Sequence, residues 1–441
     1  MSRTSALIFL LFTGALAGNA ALASPPDGAE WGVRWILAVL ALAAGVAVAA
    51  PAALRPRIAA AVTASLLGLF AIEAYEWGFG LFEPPNYPES YDPRTKFEVV
   101  LDLRDRGVEA YPTIHPAAYI APRKIAGVVT MPFGGVVNAV TVYCKENESG
   151  QYLVYDSDEQ GFNNPRGLWQ RSSVEVALVG DSFTQGACAL EGSFASHLRR
   201  RFDGVLNLGS GNNGPLIELA TIKEYLQEFR PPVVLWFYYE GNDLANLKEE
   251  RQSALLLRYL AGNFRQGLRQ RQSEIDLQVR SFVNRSVAQL RAAGSRGVVH
   301  EEPYGAREFA RLALTQKHLG HLALRSRLGG EPAKTSPSLR LFARILAEAN
   351  QTVASWHGKL YFVYLPAYEY LRRGETEAQR DGVLEAARSH GIPIIDIDAL
   401  FRARAAPLEL FPFNQDGVHY TQEGNRLIAD RVIQVLASEP R

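Results

Sequence analysis

Only two cysteines, Cys144 and Cys188, occur in 441 residues, too few for a structural zinc cage, and the eight histidines show no metal-ligand spacing near them. No metal or other cofactor is implied. Neither sign of charge is in excess: Lys+Arg and Asp+Glu number 46 each, so no net field draws the chain to nucleic acid or to an acidic surface. Nucleic acid is not an expected partner. Internal repeats and low-complexity tracts are also missing. What is present is ample apolar material, 47% of the residues, enough to bury real cores in two or three domains.

That material is unevenly spread, because the long charge-poor runs fall before Trp77. Ala6 to Ala23, Trp35 to Leu54 and Ile58 to about Tyr75 each approach the ~20 residues a helix needs to cross ~30 Å of hydrocarbon. One such run reads as a buried helix; three in tandem, separated only by Pro25–Glu30 and by Arg55-Pro56-Arg57, read as membrane spans. Residues 1–78 are thus expected to be a membrane region of two or three transmembrane helices. The placement of Arg3, Arg55 and Arg57, with an acidic first loop, puts everything after Tyr75 outside the cytoplasm. The first run alternatively reads as a cleaved signal peptide, since Ala21-Leu22-Ala23 precedes Ser24. Either way the large domain is expected on the periplasmic side of the inner membrane, where Cys144 and Cys188 are free to form a disulfide.

Residues 79–173 are rich in Pro, Gly and short β-branched runs such as Phe97–Val100 and Gly135–Val137, which predicts a small β-rich lead-in. From Val174 the pattern changes. Strands are predicted at Val174–Val179, Val205–Leu208, Val233–Tyr238, Leu360–Leu365 and Ile392–Ile397, with amphipathic helices between them, such as Phe194–Phe202 and Ile217–Phe229. This is the signature of a parallel five-stranded sheet in a three-layer α/β domain, residues 174–441. The gap between the third and fourth strands exceeds any ordinary βα connection, so a helical insertion is expected at about 250–350. Its Arg265, Arg269, Arg271, Arg280, Arg285 and Arg291 fit either a solvated helix face or a cap that contacts an anionic glycan or lipid headgroups.

Gly180-Asp181-Ser182 directly follows the first of these strands, which places Ser182 at the carboxyl edge where open α/β sheets carry their ligand sites. A serine hydroxyl needs a base to become a nucleophile. Asp416-Gly417-Val418-His419, just before the last predicted helix, supplies a carboxylate and an imidazole on one turn. Asn242, in Glu240-Gly241-Asn242-Asp243, and the glycine-rich turn Asn207–Gly214 close two further strands with possible oxyanion donors. If His419 is the base, activity should rise through a histidine titration near ~6.5.

These four blocks, in this order, resemble the SGNH hydrolase family, also called GDSL-like esterases, over roughly Val174 to Leu436 without the insertion. The resemblance implies a flavodoxin-like α/β/α fold. It makes Ser182 the nucleophile and an oxyanion donor through its N–H, Asn242 a second donor, and Asp416 and His419 the rest of the triad. In the second block many members have glycine where this chain has Asn212, preceded by Gly211, so either N–H is a candidate for the hole. The stretch Tyr155 to Pro165 also looks like a segment ahead of the nucleophile in membrane-anchored members linked with surface polysaccharides. The expected activity is hydrolysis of an O-acyl, in particular O-acetyl, ester on a cell-envelope glycan. O-acetyl transfer by the same triad, a catalytically silent glycan-binding protein, and a membrane-facing lipase or thioesterase are the alternatives.

Overall fold

The computed structural model describes residues 87–120, 130–189, 192–292, 336–414 and 419–438, with positions 57, 64, 68 and 71. The three apolar runs before Trp77 lie outside its continuous segments, and so do Gln415 to Val418, Asp416 among them. Among the described residues no helix is long and apolar enough to cross a membrane. All elements below belong to one compact unit, residues 85–298 and 333–441.

The lead-in begins with α1 (Lys96–Asp105). The β-branched run Phe97–Val100 is therefore helical rather than extended. The signal outweighing β propensity is a capping box: the Thr95 hydroxyl accepts the Glu98 N–H, and the Glu98 carboxylate accepts the Thr95 N–H at 2.7 Å. The three short strands β1 (Ala110–Pro112), β2 (Val140–Val142) and β3 (Val154–Asp156) follow; β1 pairs parallel and β3 antiparallel with β2.

The main sheet contains β4 (Val176–Val179), β5 (Val205–Asn207), β6 (Val233–Tyr239), β7 (Lys359–Leu365) and β8 (Ile394–Asp396), all parallel, in the order β5-β4-β6-β7-β8. Side chains alternate between its faces. Ala177, Val179, Val234, Trp236, Tyr238, Phe362 and Tyr364 join one apolar cluster, and Val176, Leu178, Leu235, Phe237, Tyr361, Val363 and Leu365 the other. Burial of both faces is what makes these strands near-continuous apolar runs. Helices Pro215–Tyr225 and Pro337–Ala354 contribute to the first cluster, and Phe194–Arg199 and Gln422–Ser438 to the second, giving three layers. Pro337–Ala354 thus lines the sheet as the crossover that a parallel β6-to-β7 connection requires.

Within the predicted insertion, helix Gln272–Ala292 places Ile275, Val279, Val283 and Val287 at helical spacing into the first cluster. Its arginines are largely engaged inside the chain. Arg280 pairs with Asp276 and with Glu109 of the lead-in and lies over the Tyr111 ring; Arg269 pairs with Glu228 and stacks on Phe229; Arg271 pairs with Glu274, and Arg291 with Asp105. Asp276 in turn accepts the Val137 N–H at 2.9 Å. These contacts favour the structural reading of the basic residues over a glycan-binding cap. Arg280→Ala is accordingly expected to destabilise the fold by on the order of 1–3 kcal/mol, because it strands partly buried Asp276 and the Val137 carbonyl. Chemical denaturation checks this; unchanged stability with weakened substrate binding would reverse the assignment.

Candidate active site

Ser182 opens a short helix (Ser182–Gln185) at the carboxyl end of β4. Asp181 caps it, its carboxylate accepting the Phe183 N–H at 2.9 Å. Gly180 makes the turn possible: a Cβ there would lie 2.2 Å from Thr184 Oγ1 and 2.9 Å from the Phe237 carbonyl oxygen. The result holds the Ser182 hydroxyl at the sheet rim.

More than two hundred positions later the chain brings His419 to the same rim. Tyr420 OH donates to the Pro366 carbonyl at 2.6 Å, and Asn425 donates to the Tyr420 and Thr421 carbonyls while accepting the Phe194 N–H. These bonds fix the residue next to the imidazole, and the Phe183 ring packs against the imidazole itself at 4.7 Å. The outcome is His419 Nε2 at 2.9 Å from Ser182 Oγ, hydrogen-bond reach for a base and its nucleophile. Asp181 Oδ2, at 3.3 Å, is the other acceptor near that hydroxyl. On the far side of the ring, Nδ1 lies 3.6 Å from Cys188 Sγ. The structure joins Cys188 to Cys144 as a disulfide. A disulfide sulfur carries no proton and can only accept; with Nε2 facing the Ser182 hydroxyl, Nδ1 bears the ring proton and makes at most a weak N–H···S contact. Glu146 Oε2, 2.9 Å from that sulfur, meets no donor there and is a packing contact. Cys144, Glu146, Cys188 and His419 place possible ligand atoms within 4.8 Å of one another, but paired cysteines offer no thiolate to a metal. Asp416 lies outside the described residues.

Burial pushes the His419 imidazole down to about 4, well below the ~6.5 expected of an unperturbed ring. Since the base acts when neutral, kcat/KM should be level from about pH 5.5 to 8 and fall at lower pH with half-loss near about 4. A pH–rate profile checks this. An acid limb centred near ~6.5 would mean that a carboxylate compensates the burial.

The proposed oxyanion donors come together at the same edge. Gly211 N–H donates to Gln185 Oε1 at 2.8 Å, whereas among the described residues Asn212 N–H has no acceptor. Asn212 is exposed and takes a left-handed φ of 57°, a conformation asparagine tolerates. Asn242 sits at the start of the helix Asp243–Glu250 and makes no capping bond with its side chain, whose buried Oδ1 has no hydrogen-bond partner among the described residues. Burial pushes the Asp181 carboxylate up to about 6, while its bonds to the Phe183 N–H and the Ser182 hydroxyl act the other way. Behind it, fully buried Glu218 and Asp243 are pushed well above the usual carboxylate range by burial and by neighbouring carboxylates. Asn242→Ala is expected to lower kcat by about 10²- to 10³-fold, the usual cost of one oxyanion donor, with the melting temperature nearly unchanged. Steady-state kinetics with thermal melts test it.

The acidic segment ahead of the nucleophile has a physical task. Asp158 accepts the Gln160 and Phe162 N–H groups, Asn164 Nδ2 and Trp169 Nε1. Asn164 then bonds both the N–H and the carbonyl of Asn207, each at 2.8 Å, and Asn163 donates to the Gln185 carbonyl. This network braces the glycine-rich turn and the nucleophile helix together.

Sequence reasoning missed a second wall of the site, built by the lead-in. Lys96, His115 and the pair Tyr143 and Glu146 come from three separate stretches with no common motif, so only topology assembles them. Their one local trace is Gly211: a Cβ there would meet His115 Cε1 at 2.4 Å and Tyr143 OH at 2.9 Å.

A family model for GDSL-like lipase/acylhydrolase matches residues 176–432. No curated protein matches the chain. Among solved structures, an acetyl xylan esterase shares 13% identity, with 60% of this chain and 100% of that one covered, at a TM-score of 0.33. A lipase/acylhydrolase from Enterococcus faecalis shares 12% identity over 61% and 98%, at 0.32. A two-domain esterase active on acetylated mannans shares 14% over 62% and 53%, at 0.29.

Proposed function

The chain belongs to the GDSL-like lipase/acylhydrolase family and is an ester-bond hydrolase, and from that premise we propose that it removes O-acetyl groups from a cell-envelope glycan through an acyl-enzyme on Ser182. The observation that carries this reading is the 2.9 Å approach of His419 Nε2 to Ser182 Oγ at the sheet's carboxyl edge. His419 takes the hydroxyl proton as Ser182 Oγ attacks the acyl carbonyl. The developing oxyanion is held by the Asn242 amide and by the N–H groups of Ser182 and Asn212. Collapse breaks the ester bond, and the departing sugar oxygen takes the proton from His419. Water then attacks the acyl-enzyme by the same route, releasing acetate and restoring Ser182. Asp416 orients the ring and stabilises the imidazolium.

A small acyl group on a hydroxyl-rich leaving group suits the surroundings. His115, Tyr143 and Gln185 stand at Gly211, one residue before the proposed donor Asn212, and Glu146 lies within 4.8 Å of a His419 ring nitrogen, a polar rim that fits a sugar. The reading extends to location: the apolar runs before Trp77 and the paired cysteines support a membrane-anchored domain facing away from the cytoplasm. The test is acetate release from acetylated polysaccharide, measured with and without a deacetylated glycan acceptor. Ser182-dependent release of acetate is the expected result. Acetyl appearing on the acceptor instead would establish transfer, and release only from long-chain lipid esters would defeat the glycan assignment.

A further inference from the structure

Resting on the esterase reading, we propose that Lys96, His115 and Tyr143 form a subsite for a carboxylate on the sugar that carries the ester, so that the preferred substrate is an O-acylated acidic glycan. Lys96 stands at the first turn of α1 with its ammonium 5.5 Å above the Tyr143 ring, and the Tyr143 ring lies 5.6 Å from that of His115. Both Tyr143 and His115 abut Gly211, one residue before the proposed oxyanion donor Asn212. The three side chains therefore flank the reacting centre rather than lying on a remote surface.

Two observations call for a ligand. Buried Nδ1 of His115 has no hydrogen-bond partner, and such an orphan is costly unless something completes it. Among the described residues, no carboxylate oxygen lies within ion-pair distance of the largely desolvated Lys96 ammonium; Glu146 acts on it only from farther off. An ammonium without an ion-pair partner beside an uncompensated imidazole is a receptor for an oxyanion. The charge count selects which one. Burial, together with the positive charges of Lys96 and His419, pushes His115 down to about 3, so the imidazole is neutral at working pH and donates or accepts without adding charge. One ammonium near the negative Glu146 matches a monoanionic carboxylate better than a phosphate monoester carrying about −1.5 to −2.

The test compares kcat/KM on acetylated polygalacturonate, which carries carboxylates, with that on acetylated glucomannan, which does not. The wild type should favour the acidic polymer by about tenfold or more, with the preference shrinking as salt rises. Lys96→Met should collapse the ratio of the two constants by about 10- to 100-fold, the worth of a hydrogen bond to a charged group; Lys96→Arg should retain most of it. Because both constants come from one preparation, partial misfolding cancels from the ratio. Digalacturonate should compete with substrate in the wild type and not in Lys96→Met, an arm that needs no stable His115 variant. Equal wild-type activity on both polymers overturns the proposal while leaving the esterase reading intact, provided 4-nitrophenyl acetate is hydrolysed in a Ser182-dependent way. Inhibition by inorganic phosphate stronger than by digalacturonate overturns the carboxylate assignment, and failure to cleave any of the three esters removes the esterase reading as well.

Discussion

Ser182→Ala is expected to lower kcat on 4-nitrophenyl acetate by about 10⁶-fold and to abolish covalent labelling by a fluorophosphonate. The size follows from the way the site is coupled. The hydroxyl is the attacking group and the atom on which His419 Nε2 acts at 2.9 Å, so its loss idles the base as well. What survives is binding and the oxyanion donors, worth roughly 10³- to 10⁴-fold over water. Folding should barely notice, since the helix at Ser182 is capped by Asp181 and closed by Gly186, whose N–H bonds back to the Phe183 carbonyl at 3.1 Å. The measurement is paired: labelling of wild type and variant on one gel, and the melting temperature of each. A variant that keeps its label would place the nucleophile elsewhere, and a variant that loses activity with a large drop in melting temperature would say that the hydroxyl matters to the fold.

The parallel sheet was legible because its strands are buried on both faces, and such strands announce themselves as apolar runs between turns; β6 and β7 match the predicted strands to within a residue at each end. Ser182, Asn242 and His419 were legible because each stands beside a secondary-structure boundary with glycine or asparagine chemistry of its own. The lead-in was less so. Phe97–Val100 reads as a strand by propensity, and a four-residue capping pattern at Thr95 and Glu98 overrides it. His115 and Lys96 carry no local pattern at all. They reach the site because β1 pairs with β2 and because the disulfide at Cys144 ties the end of that sheet to Cys188, six residues after the nucleophile. Contacts of this kind are made by topology, and a single sequence offers no period or spacing from which to read them.

The same loop bears on the second large effect, which concerns the far side of the imidazole. Asp416→Asn is expected to lower kcat by about 10⁴-fold, because an amide at that position favours the wrong tautomer and no longer offsets the imidazolium formed during attack. Glu146 is the rival. Its carboxylate lies within 4.8 Å of a His419 ring nitrogen and beside the disulfide that packs on Nδ1. Sequence separation favours Asp416, which is three positions from the histidine and so tied to it through the backbone, whereas Glu146 comes from a distant stretch that the Cys144–Cys188 disulfide anchors beside the ring. Small misplacement of an orienting group costs most of its value. Glu146→Gln should therefore cost less than about tenfold. Steady-state kinetics of the two variants decide the matter, and the pH profile adds a second reading, since removal of the charge that truly faces the ring moves the acid limb further down. If Glu146→Gln proves the more damaging, the Asp-x-x-His pair is a turn that merely delivers the histidine, and the acid of this site comes from the lead-in.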